Sequence, residues 1–165
     1  MESDDTNTLF TASAFIGNYA RAEEAWNQFL ARPHARAIPP FELTVPGWLQ
    51  FLQGKYAGAE TALRETCPQV QGALYRPNCE SMLGATLAAQ KKFDEAEPLL
   101  LRSYDALGSQ TPGLGCFLTD VDFLFDQTPG ERILKLYTDW GKPEKVAEWK
   151  QKVQAVTAVP SAAKP

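Results

Sequence analysis

Apolar residues along this chain recur at intervals of three and four, the spacing of a single helical face. Residues 78–90, NCESMLGATLAAQ, set Met82, Leu83 and Leu87 among small residues at that spacing, after a start at Pro77. Trp48, Leu49, Phe51 and Leu52 form a similar stripe, with Pro46 and Gly47 making its beginning irregular. Residues 131–140, ERILKLYTDW, follow the turn signal Thr128-Pro129-Gly130, and a companion helix is expected from about Glu144 to Val156. Ahead of all these only Thr8 to Ile16 is left for an opening helix, which should be short or frayed. The pattern predicts an all-α chain.

Between the stripes the sequence repeats itself. GNYARAE at 17–23, GKYAGAE at 54–60 and KKFDEAE at 91–97 place Tyr19, Tyr56 and Phe93 at intervals of 37 residues. Ala22, Ala59 and Ala96 keep that interval, as do Glu23, Glu60 and Glu97, and a weaker fourth copy is GKPEKVA at 141–147. Such regularity marks a stacked array of helical hairpins. Gly17, Gly54 and Gly141 sit where one helix must stop and reverse, which favours a residue free to adopt a left-handed backbone. The aromatic two positions on covers the turn, and the alanine three further lets two backbones approach. Trp26, Phe29, Leu63, Leu99, Leu100 and Tyr104 continue that face. The glutamate beside each alanine is expected to face solvent near a helix N-terminus, where negative charge is favoured. The organisation expected is one domain over 1–156, with hairpins near 8–31, 41–67, 77–107 and 129–156. An insertion at 108–128 and a disordered tail at 157–165, TAVPSAAKP, complete it.

Charge narrows the partners. A net charge of −4, with scattered Lys and Arg, argues against nucleic acid, whose binding needs clustered cations against phosphate. No run of about 18 apolar residues is present, so no membrane span is expected. MESDDTN at the start is acidic where a secretory signal would be basic and then apolar, which sets the expectation of a cytoplasmic chain. Cys67, Cys79 and Cys116 are spaced like no metal site or redox motif and read as small buried side chains. The single histidine, His34, lies in a proline-bounded turn, so a Cys79–His34 dyad is not favoured. Among Asp120, Asp122 and Asp126 only the first two alternate as calcium ligands would, with apolar Phe123, Leu124 and Phe125 filling the rest, and GSQTPGLG at 108–115 lacks the Lys-Ser/Thr ending of a phosphate loop. No catalytic residue, metal or cofactor is assigned.

These residues resemble tetratricopeptide repeats. Leu83-Gly84, Leu87, Phe93 and Ala96 match that family's spacing, with Lys91 in place of the corner glycine. In the second copy Gly54, Tyr56 and Ala59 match while Pro46 takes the leucine position, and in the last Pro143 and Val146 replace the aromatic and the alanine. The period exceeds the family's usual figure of about 34. A narrower resemblance, over about 75–152, is to the carboxy-terminal repeat region attached to many bacterial serine/threonine kinases. It implies a docking or sensory module without kinase activity, since no glycine-rich loop, His-Arg-Asp or Asp-Phe-Gly motif is present.

What the resemblance implies is an α-solenoid, a right-handed superhelix whose first helices line a concave groove for a protein or peptide. On family spacing the groove would be lined by Phe41, Thr44, Trp48 and Phe51, then Asn78, Ser81, Ala85 and Ala88, then Glu131, Lys135 and Thr138, although Trp48 and Phe51 read equally well as core. The function expected is a non-catalytic scaffold, in or alongside a bacterial kinase. The rival is a small-ligand sensor or enzyme with a pocket between the groove and 108–128. Self-association through an incomplete first hairpin is a third reading.

Overall fold

Four corners organise the chain. In the computed structural model, which describes residues 13, 16–31, 43–72, 75–107 and 128–157, Gly17, Gly54, Lys91 and Gly141 have φ of 76°, 74°, 62° and 71°. At each corner the next residue's N–H donates to the carbonyl five positions back. The pairs are Asn18 to Ser13, Lys55 to Gln50, Lys92 to Leu87 and Lys142 to Tyr137, at 2.8–3.0 Å. At the last three the corner residue's own N–H also donates, to Phe51, Ala88 and Thr138. These paired bonds close the end of a helix and satisfy carbonyls that would otherwise be orphaned.

Lys91 is the one non-glycine residue with positive φ among the described residues. A side chain in that conformation costs about 1 kcal/mol. Lys91→Gly is therefore expected to raise the unfolding free energy by about 0.5 kcal/mol, the relief being partly offset by glycine's freer unfolded chain. Urea unfolding midpoints of the two proteins check this.

Around the corners lie seven α-helices among the described residues. They are α1 (Tyr19–Leu30), α2 (Val45–Leu52), α3 (Tyr56–Thr66), α4 (Tyr75–Ala89), α5 (Phe93–Leu107), α6 (Pro129–Asp139) and α7 (Pro143–Thr157), with a 3-10 turn, Cys67–Gln69, continuing α3. The described chain is all-helical. Its prolines fall differently from expectation. Pro46 does not disturb α2, because it lies in the first turn, where a missing N–H has no helical partner to lose. α4 starts at Tyr75, ahead of Pro77, for the same reason. Asn18 and Thr128 cap α1 and α6, accepting bonds from the backbone N–H of Arg21 and Glu131. The insertion at 108–127, the tail from 158, the opening helix before Ile16 apart from Ser13, and His34, Phe41 and Cys116 lie outside the described residues.

Each helix packs on the next in chain order, and α4 also meets α6. Ala22, Ala59 and Ala96 are wholly buried, and Leu49, Leu63, Leu87, Leu100, Ile133 and Leu136 fill the core around them. Burying one such leucine or isoleucine contributes about 1.5–3 kcal/mol. Two hairpins close in the same way. A Cβ placed on Gly47 would stand 2.7 Å from Cγ of Leu63 and 3.6 Å from the Ala59 carbonyl. One on Gly84 would stand 2.7 Å from Cγ of Leu100 and 3.4 Å from the Ala96 carbonyl. All three pairs of residues are 37 apart. The last hairpin departs, its close approach lying at the far end, where a Cβ on Gly130 would meet Cγ2 of Val153 at 2.7 Å.

Candidate interaction face and the clasps behind it

The residues expected to line a groove divide by depth. Thr44, Trp48 and Ser81 are 2%, 5% and 0% exposed, so they belong to the interior rather than to a surface, and Ala88 is buried with them. Ser81 Oγ accepts from Nη1 of Arg132 at 2.8 Å, a buried bond that ties α4 to α6. Phe51, Asn78 and Ala85 are half-buried, and the Phe51 ring lies 5.5 Å from that of Tyr56. Lys135 and Thr138 are exposed on α6. Lys135 pairs with Asp139 at 2.9 Å, and the Thr138 hydroxyl donates to the Leu134 carbonyl. Glu131 is turned back on its own helix, its carboxylate accepting from the Thr128 N–H at 2.6 Å. Of the residues expected to line the groove, Phe51, Asn78, Ala85, Lys135 and Thr138 thus keep part of their surface open. Arg132 went unremarked in the sequence because it borders the apolar set Ile133, Leu136 and Tyr137 without belonging to it.

The repeat glutamates overturn one expectation. They do not face solvent; each reaches the following hairpin. Glu23 Oε2 accepts from Gln53 Nε2 at 2.8 Å, with Lys55 Nζ at 3.6 Å. Glu60 Oε2 accepts from Gln90 Nε2 at 2.8 Å and Lys92 Nζ at 2.6 Å. Gln53 and Gln90, like Lys55 and Lys92, are 37 apart, so the clasp repeats with the corners. Glu97 instead accepts from the Tyr137 hydroxyl at 2.7 Å. Burial, reinforced by Glu97, pushes that phenol well above the usual range. Lys142, at the matching corner position, lies over the Trp140 ring at 3.1 Å, and that ring stacks on Phe93 at 5.3 Å. The charged groups give way to an aromatic contact at the last junction.

Glu60 is the most heavily engaged of the three. Lys92 above all, then Arg64 and Gln90, hold its carboxyl down to about 2 from an ordinary 4.5, against an opposing effect of burial. Arg64 bonds Glu60 at 2.9 Å and Glu95 at 2.6 Å, so it links α3 to α5. The bond to Glu95 first, then that to Glu60, raises its pKa above the ordinary value. The folded pKa of Glu60 is the lower one, so its stabilisation is complete above about pH 4.5 and is lost as pH falls toward 2. Lys92 and Arg64 are 42% and 45% exposed, and water screens the pairs. Glu60→Gln is therefore expected to cost about 1 kcal/mol at neutral pH and to flatten the acid limb between pH 4.5 and 2. Urea unfolding at several pH values measures both.

The cysteines also differ from expectation. Cys67 and Cys79 are buried, as small side chains would be, but they are joined in a disulfide with Cα atoms 5.5 Å apart. A bonded Cys79 offers no thiolate, so no nucleophile stands there. No helix among the described residues is long and apolar enough to cross a membrane. An open depression along α1, lined by residues from Ala20 to Ala31, brings no convergent chemistry together among the described residues. Comparisons with protein-family models, with curated proteins and with solved structures gave no match.

Proposed function

We propose that this chain is a non-catalytic docking scaffold of tetratricopeptide type, a right-handed stack of helical hairpins that offers the face of α2, α4 and α6 to another protein. The observation that supports this most is the recurrence, 37 residues apart, of one set of contacts. Corner, buried alanine, glycine–leucine approach and glutamate–glutamine clasp come back together at Gly54 and Lys91. A chain held by neighbour-to-neighbour contacts builds an extended surface, and such surfaces serve recognition. The partner face consists of Phe51, Asn78, Ala85, Lys135 and Thr138, an aromatic edge beside small and polar groups. A setting in or beside a bacterial serine/threonine kinase rests on the sequence resemblance alone.

Photo-crosslinking residues placed at Ala85 and Lys135 test the reading, with one at the exposed Gln151 of α7 as control. The same protein captured from both positions and not from Gln151 is the expected result. Capture equal at all three positions, or at none, would count against it.

A further inference from the structure

We infer that Cys67–Cys79 is a structural staple, formed where the surroundings are oxidising, that locks the second hairpin onto the third. The pair does not recur with the repeat: one interval of 37 earlier stand Leu30 and Glu42, and one interval later Tyr104 and Cys116, so a cysteine follows Cys79 at that spacing but none follows or precedes Cys67. The bond is an addition at one junction. Cys67 opens the 3-10 turn at the end of α3, and Cys79 lies in α4, so the link spans the connection between the two hairpins. Val70, 1% exposed, is the one fully buried hydrophobic side chain between the cysteines among the described residues.

Burial separates a staple from an exchange site. Cys67 is 5% and Cys79 1% exposed, so an outside thiolate reaches the sulfurs only after the junction opens. Formation is a thiol–disulfide exchange. The two thiols give up two protons and two electrons, and an oxidant of the disulfide class is cleaved to two thiols as the protein's S–S bond forms. Such bonds persist outside the reducing cytosol and are rare within it, so this reading replaces the cytoplasmic expectation.

The test uses the full chain, oxidised in a glutathione disulfide buffer or reduced with a phosphine. Alkylation of the oxidised chain in denaturant, without reductant, should modify one thiol, Cys116; modification of all three would overturn the staple. Reduction should lower Tm by about 10 °C, as expected for closure of a short loop. A reduced chain as stable as the oxidised one would remove the need for an oxidising setting. Amide exchange should quicken over 67–79 while α6 and α7 hold their protection. A uniform change, or none, would contradict the junction lock. Cys67→Ser/Cys79→Ser should match the reduced chain and ignore phosphine; a remaining response would also overturn the inference.

Discussion

Gly84→Val should lower the unfolding free energy by about 2–3 kcal/mol, far more than an ordinary change within a helix. The reason is distance. A Cβ at this position stands 2.7 Å from Cγ and 3.0 Å from Cδ2 of Leu100, with the Ala96 carbonyl behind at 3.4 Å. Leu100 is wholly buried and cannot swing aside without disturbing its neighbours. Leu100→Ala alone should cost about 3 kcal/mol through lost burial and a cavity. Combined, the two should cost at least about 1 kcal/mol less than their sum, because the shortened side chain makes room for the valine. Gly47→Val, against Leu63, should match Gly84→Val to within about 1 kcal/mol if the two hairpins are equivalent. Chemical denaturation of the five proteins measures all of these.

Pro98→Ala should work the other way, raising the unfolding free energy by about 2 kcal/mol. Pro98 lies inside α5, past the first turn, where it removes a bond to the carbonyl four residues back and crowds it. In a helix interior that costs about 3 kcal/mol relative to alanine, and the stiffer unfolded chain that proline provides returns part of it. The side chain is exposed, so its removal leaves the core intact. A Tm no higher than that of the parent would show that α5 bends around Pro98 at no cost.

The sequence made the corners legible because each imposes a demand on a single residue. A left-handed backbone wants glycine at 17, 54 and 141, and close approach wants alanine at 22, 59 and 96. Lys91 could be placed by its interval although it breaks the glycine rule. The clasp was legible too, but only by counting polar residues: Gln53, Gln90, Lys55 and Lys92 share the interval of Glu23 and Glu60. Reading those glutamates for their helix dipole alone missed the neighbouring hairpin. Burial of Thr44 and Ser81 was not legible, since it depends on how one hairpin rotates against the next, whereas Trp48 read equally as core and as groove and proves to be core. The Cys67–Cys79 bond is a matter of distance in the fold, to which a separation of 12 residues gives no clue.

The central claim is that the second and third hairpins are copies of one arrangement. Methyl-resolved nuclear Overhauser spectra test it most directly. The account predicts contacts from the Leu63 methyls to the Gly47 α-protons and, with similar intensity, from the Leu100 methyls to those of Gly84. Either contact without the other, or either leucine lying against a different helix, would contradict it.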